Sequence, residues 1–299
     1  MLAPSAATFA TALVLIGTGR APHYEAARFG PECVGHRTAV HLSGSSEAAF
    51  LARARARGVR RVVVFVPGFA TGVPKGLHAA QLFARVVGPA DLLLYVDWGS
   101  AGKKYDYIRD ARTAAKNAPA LAAVLLDLHR ALPGREVDLF AHSLGTRIVA
   151  LALAKVAVPA DRRPIVERAV LAAPDMTIAD YTRAIARIPG PFDRVTLYVS
   201  RRDRALLLST VINVHRRLGR ITAWHKPIAR TDVVDASAAS SGLDGHGYAI
   251  SDPALIADIG RTLAGAPVPH PGWKHAKPDA VSWTYLAPLP ASAAPAACP

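Results

Sequence analysis

The stretch Val137-Asp138-Leu139-Phe140-Ala141-His142-Ser143-Leu144-Gly145 puts a serine on a tight turn between an apolar strand and a helical pattern. On such a turn the backbone is strained, the hydroxyl is lifted clear of the sheet, and the N–H groups that follow open a helix. That is the setting of a nucleophile. Ala141 and Gly145 leave room for the neighbouring strand and helix, and the Leu144 N–H can face a developing oxyanion. The motif ordinarily begins with Gly, and Ala141 adds only a methyl group. A serine that merely caps a helix is the competing reading. The Pro133-Gly134 turn upstream and the helical recurrence of Ile148, Val149, Leu151 and Val156 downstream favour the nucleophile.

A serine hydroxyl needs a histidine base, and the histidine needs an acceptor that fixes its tautomer. For a serine on a strand-to-helix elbow the chain order is serine, acid, histidine. The histidines downstream are His215, His225, His246, His270 and His275. His246 is the expected base, because Gly245-His246-Gly247-Tyr248 is a glycine-flanked loop before the last helix. His142, next to the serine, reads as structural, and His215 and His225 read as packed or solvated. Two aspartates follow strands beyond the elbow. Asp203, in Arg201-Arg202-Asp203, follows the second and is favoured by position. Asp175, in Ala173-Pro174-Asp175, follows the first and is the alternative acid. The plain readings are a surface ion-pair network for Asp203 and a helix cap for Asp175. A second oxyanion donor is expected from Val66-Pro67-Gly68-Phe69, at the Phe69 N–H. Trp98, Tyr105 and Tyr107 follow the neighbouring strand and could line a substrate pocket or simply anchor their loop.

The elements that must hold these residues alternate. Continuous apolar runs at Arg61–Val66, Asp91–Val96, Arg168–Ala173, Val195–Ser200 and Asp232–Asp235 read as strands buried on both faces. Helical spacing appears over Glu47–Arg57, Leu77–Val87, Pro119–Leu132, Ile178–Ile188, Ala205–Leu218 and Pro253–Leu263, with Ser100–Asn117 as a polar connection. Strand alternating with helix implies an α/β fold with a mostly parallel sheet covered on both faces, whose ligands bind beyond the carboxyl ends of the strands. Residues 1–264 read as one domain, with an opening strand near 12–18, and 265–299 as a Pro/Ala-rich tail. No insertion is large enough for a separate cap domain.

The 299 residues carry a formal charge of +14. The arginines are scattered, and the dense run from Arg53 to Arg61 falls at a helix end, where basic groups complement the dipole. No zinc-finger or stacked-aromatic pattern accompanies them, which argues against a nucleic-acid partner. Cys33 and Cys298 cannot build a disulfide framework, and no histidine spacing supports a metal, so neither metal nor cofactor is expected. The uncharged residues 1–19 lack a basic leader and are too short to cross a bilayer as a helix, so a strand is favoured over a secretory signal. The expectation is a cytoplasmic protein without a transmembrane segment.

The segments VVVFVPGF, VDLFAHSLGTR, AVLAAPD, RVTLYVSRRDRAL, VVDAS and GHGY, with LVLIGTGRAP near the start, resemble the bacterial α/β-hydrolases long catalogued as a family of unknown function. The similarity runs from about Leu13 to Leu263. It implies an α/β-hydrolase fold with Ser143, Asp203 and His246 at the positions of nucleophile, acid and base. It also implies that LVLIGTGRAP lies inside the fold. Pro67 stands where the family usually has His, which bears on the shape of the oxyanion loop. The combined expectation is a serine hydrolase, esterase- or lipase-like, that cleaves a small carboxylic ester through an acyl-enzyme. Thioester or amide hydrolysis, acyl transfer, and a non-catalytic binding protein on the same fold are the alternatives.

Overall fold

In the computed structural model, the described residues are 10–15, 23–28, 40–42, 54–56, 58–84, 87, 91–103, 105–156, 163–188, 194–222, 224, 226–239, 242–275 and 281–285, with backbone alone before residue 54. The strands are β1 (Ala10–Leu15), β2 (His23–Arg28), β3 (Val40–Leu42), β4 (Arg61–Val66), β5 (Asp91–Asp97), β6 (Glu136–His142), β7 (Arg168–Ala172), β8 (Arg194–Val199), β9 (Thr231–Asp235), β10 (Trp273–His275) and β11 (Trp283–Tyr285). They form one sheet in the order β10-β11-β9-β8-β7-β6-β4-β5-β1-β2-β3. From β11 through β1 every pairing is parallel, and the β10, β2 and β3 edges are antiparallel.

The strand sequences explain their place. In β4, Val62, Val64 and Val66 pack into one hydrophobic cluster while Val63 and Phe65 pack into another. Successive side chains of a strand point to opposite faces, so a run without polar interruption needs cover on both. One face receives α2 (Tyr107–Ala131), α3 (Gly145–Leu153) and α4 (Ile178–Ile185), through residues such as Leu121, Val124, Leu125, Ile148, Val149 and Tyr181. The other receives α1 (Val73–Ala84) and α7 (Pro253–Leu263), with Phe83 stacked on Phe140 at 4.2 Å. Helix α5 (Arg204–Asn213) and the short α6 (Tyr248–Ser251) lie in the connections beyond β8 and β9.

Two elements depart from the sequence reading. Helix α2 begins at Tyr107, not at Pro119, so the expected polar connection is mostly helix. An interior proline costs about 3 kcal/mol, which makes it look like a helix start. Here Ala114, Ala118, Leu121, Leu125 and Leu128 form one buried stripe that runs straight past it. Burial of several such side chains, at about 1.5–3 kcal/mol each, outweighs the penalty. The chain beyond residue 264 also rejoins the sheet, where β10 pairs with β11 and β11 lies parallel to β9. Trp273 and Tyr285 anchor these three-residue strands in the core. Strands so short carry no readable alternation.

Of the expected helix Glu47–Arg57, residues 54–56 are helical and the rest lies outside the described residues, as do Cys33, Cys298 and His225. β1 occupies residues 10–15 and pairs with β5, so the apolar N-terminal run does supply a strand. Among the described residues no helix is long and apolar enough to cross a membrane.

Candidate active site

Parallel strands in register bring their carboxyl ends to one edge: Val66 stands opposite Ala141, His142 opposite Ala172, Ala172 opposite Tyr198, and Val199 opposite Asp235. Ser143 caps β6 on that edge with φ at +53°. Left-handed backbone costs a non-glycine residue energy, and such strain concentrates at functional sites. The turn is fastened on both sides. The Ser143 N–H donates to Ala172 O at 2.9 Å, and Ser143 O accepts from the Thr146 N–H at 3.0 Å and the Thr146 hydroxyl at 2.6 Å. A Cβ on Gly145 would stand 2.4 Å from Pro67 O and 2.6 Å from Val66 O, so only glycine lets α3 start this close to β4. A Cβ on Gly68 would stand 2.8 Å from Ser143 Cβ. The Pro67-Gly68-Phe69 loop therefore lies directly against the serine.

Leu144, fully buried, is the N-cap of α3. Among the described residues the N–H groups of Leu144 and Phe69 have no protein acceptor. The loop that carries Phe69 is held by Trp98, whose indole N–H donates to Pro67 O at 2.8 Å. Asn117 in turn donates to Trp98 O at 2.6 Å. Trp98 is fully buried, which rules it out as a pocket wall and makes it a clamp on the loop.

Asp203 is the N-cap of α5, and its two oxygens do two jobs. Oδ1 accepts from the Leu206 N–H at 2.8 Å, and Oδ2 meets His246 Nδ1 at 2.7 Å. The His246 loop owes its path to Gly245, at φ +65°, where a Cβ would stand 2.3 Å from Arg202 O. His142 supports it from below: its Nε2 lies 3.1 Å from His246 O, and the two rings are 4.7 Å apart. Since a carbonyl can only accept, His142 carries its proton on Nε2. Burial, the nearby His246 and Lys75 push its pKa down to about 3, against the smaller opposing effect of that hydrogen bond, so it stays neutral. His246 goes the other way. Burial disfavours its charge, but the hydrogen bond and charge of Asp203, with Asp175 and Asp244 beyond, outweigh burial and raise its pKa above the ordinary value.

Asp175 also lies near the serine, with its N–H 3.4 Å from Ser143 O. Its carboxylate, however, is spent elsewhere. It accepts from the Tyr107 hydroxyl at 2.8 Å and the Ser209 hydroxyl at 2.7 Å, and pairs with buried Arg217 at 3.3 Å. The aromatic candidates separate. Tyr107 joins this network and meets the Phe69 ring edge-on at 5.4 Å, whereas Tyr105 is 79 % exposed. His215 is exposed. His270 has an acid partner of its own, Asp258 at 2.9 Å, which Tyr198, Trp273 and Arg261 also engage. That buried cluster ties the segment before β10 to α7. Neither it nor the Arg217–Ser209–Tyr107 group was legible in the sequence, because each draws on several distant elements. Among the described residues no group of His, Cys, Asp or Glu is arranged to hold a metal.

No curated protein matches this chain. Among solved structures, a predicted CIB-like hydrolase from Thermoplasma acidophilum is 14 % identical over 86 % of this chain and 98 % of its own, with a TM-score of 0.42. An acetyl xylan esterase is 14 % identical over 69 % and 95 %, at 0.38. A cold-adapted esterase from an Arctic intertidal metagenomic library is 16 % identical over 63 % and 72 %, at 0.36. Scores this low add nothing to the fold read from the sheet itself. The model of one family, described as an alpha/beta hydrolase of unknown function (DUF900), matches residues 43–262. The LVLIGTGRAP segment lies outside that span. The serine elbow, both candidate acids and the His246 loop all lie within it, and the chain belongs to this family of alpha/beta hydrolases.

Proposed function

We propose that this protein is a serine hydrolase that cleaves carboxylic esters through an acyl-enzyme. The observation that carries the reading is the Asp203–His246 pair at 2.7 Å, hung on a loop whose carbonyl is bonded to His142, the residue before Ser143. His246 Nδ1 donates to Asp203, which leaves Nε2 as the lone-pair nitrogen for the serine proton. Ser143 Oγ attacks the ester carbonyl while His246 takes its proton. The N–H groups of Phe69 and Leu144, without a protein acceptor among the described residues, receive the oxyanion. The protonated imidazole then gives its proton to the leaving alcohol. Water repeats the sequence on the acyl-enzyme and restores Ser143. The raised pKa of His246 suits a base that must hold a proton between the two half-reactions.

Asp203 is preferred to Asp175 as the acid because its second oxygen is committed to His246, while the Asp175 carboxylate is filled by Tyr107, Ser209 and Arg217. The test is covalent labelling with a fluorophosphonate, alongside turnover of ester, thioester and amide substrates. The wild type is expected to take up one probe per chain and to prefer esters. Ser143→Ala is expected to take up none and to lose about three decades or more of turnover while remaining folded. A folded wild type that takes up no probe removes the enzyme reading. Labelling with a preference for thioesters or amides keeps the triad and changes the substrate class.

A further inference from the structure

Helix α5 is built inside out. A surface helix ordinarily turns polar side chains to water. Here Leu206 and Ser209 face inward, while Leu207 (49 %), Leu208 (61 %), Val211 (68 %) and Ile212 (46 %) are exposed. At about 100° per residue, these four span roughly 140° of the helix surface. Val214 extends the patch at one end, 84 % exposed. Tyr105 and Ile108 adjoin it, because Tyr107 between them bonds Ser209 at 3.0 Å and Asn213 at 3.2 Å. At the other end the loop carrying Leu243, which is 98 % exposed, accepts the Arg204 N–H at Asp244 O, 2.9 Å away. Single exposed apolar residues are ordinary, but a contiguous set on one element marks an interaction surface.

Its rim says what it meets. Arg201, Arg202 and Arg204 at the start of α5, Arg216 beyond its end, and Lys103 and Arg109 on the α2 side are all exposed. Among the described residues none of the four arginines near α5 forms an ion pair. The acidic side chains on these same segments are half-buried Asp106, exposed Asp244, which is already bonded to the His246 N–H, and Asp110 and Asp203, which are fully buried. A second copy docked here would bring two positive rims together. The chain's own residues 286–299 include no acidic side chain to meet the arginines. An apolar face inside a cationic rim fits an anionic lipid surface, where aliphatic side chains enter the headgroup boundary and basic groups pair with phosphates.

We propose that the α5 face, with Leu207, Leu208, Val211 and Ile212 at its centre, docks this protein on anionic lipid surfaces. The docking would hold the candidate site against that surface, since Asp203 both caps α5 and binds His246, and the Phe69 ring touches Tyr107. Esters carried by the lipid surface are then the substrate class. That last step rests on the proposed hydrolase activity, whereas the docking does not.

The test is co-sedimentation of the full chain with phosphatidylglycerol/phosphatidylcholine vesicles and with pure phosphatidylcholine vesicles, in parallel with hydrolysis of a soluble short-chain ester. Wild type is expected to bind the anionic vesicles and to lose about fivefold in affinity for each basic residue screened, on raising salt to about 0.5 M. Leu208→Glu with Val211→Glu should cut vesicle binding at least about tenfold and leave soluble-ester turnover unchanged. Leu208→Ser serves as a milder variant that adds no charge and should also weaken binding. Wild type that stays in solution beside anionic vesicles overturns the docking, as does a double variant that binds like wild type. A dimer that the double variant dissolves, with no vesicle binding, assigns the face to a second copy and overturns it too. Vesicle binding without any ester turnover upholds the docking and sinks the substrate class together with the hydrolase reading.

Discussion

Replacing Asp203 by Asn separates the catalytic use of this side chain from its structural use, because each oxygen has its own partner. Oδ1 caps α5 through the Leu206 N–H at 2.8 Å, and Oδ2 holds His246 Nδ1 at 2.7 Å. An asparagine must give one of these groups its NH2. If the amide oxygen stays on the cap, the NH2 faces His246 Nδ1 and forces the imidazole proton onto Nε2, where it cannot accept from Ser143. If the amide flips, the cap is lost and the buried Leu206 N–H is left without an acceptor, at about 1–3 kcal/mol. The capped orientation is thus favoured by about 1–3 kcal/mol, or about 5- to 160-fold. Loss of the charge that stabilises the imidazolium adds to this, for a total fall in kcat of about three to four decades. Because Asn caps a helix about as well as Asp, stability should change by about 1 kcal/mol or less. The assay is p-nitrophenyl ester turnover with a thermal melt of the same preparation. The pH profile supplies a second readout. In the wild type, kcat/KM should rise with pH through the His246 pKa, above the ordinary value of 6.5. In Asp203→Asn burial still lowers that pKa and its main support is gone, so the residual activity should rise at lower pH. Asp175→Asn is the control. It strips the partner from buried Arg217 and should cost about 3–5 kcal/mol of stability, yet retain most activity at a permissive temperature. A nearly active Asp203→Asn beside a folded but inactive Asp175→Asn would refute the assignment.

Four further substitutions test the frame around this pair. His246→Ala should be as inactive as Ser143→Ala, and exposed His215→Ala nearly as active as wild type; equal losses would mean that the base has been misassigned. Because the folded pKa of His246 is raised, its charged form stabilises the fold fully below about pH 6.5, and that contribution fades as pH rises through the folded value. The wild-type melt should lose this increment over that window, and His246→Ala should not. Trp98→Phe removes the donor to Pro67 O, which leaves a buried carbonyl unpaired at about 1–3 kcal/mol. Turnover should fall more than substrate affinity, which separate kcat and KM values would reveal. Gly145→Ala drives a Cβ to 2.4 Å from Pro67 O, a backbone atom that cannot swing aside. Chemical denaturation should register a loss of about 3 kcal/mol or more, and wild-type stability there would contradict the close approach of α3 to β4.

What the sequence determined by itself was set by local signals. The β-branched run of β4, the leucine-rich run of β5, the turn residues between them and the strand–serine–helix order require only near neighbours, so the parallel sheet, the Ser143 elbow and the His246 loop could all be read before any coordinates. The choice between Asp203 and Asp175 rested on chain position alone. Both follow strands, both are buried, and both cap or adjoin helices. What separates them is which carboxylate oxygen remains after other partners are counted, and those partners, Tyr107, Ser209 and Arg217, come from three separate stretches of chain. Whether Trp98 lines a pocket or anchors its loop was open for the same reason, since a ring's burial depends on what α2 and the Pro67 loop place around it. Pro119 looked like the start of α2 because its cost is local, whereas the buried stripe that overrides it needs the sheet beneath. β10 and β11 are too short to show a period and exist as strands only because β9 offers them an edge. Backbone conformation is decided over a few residues. The partners of a buried polar group are decided over the whole chain, and only the folded structure brings them together.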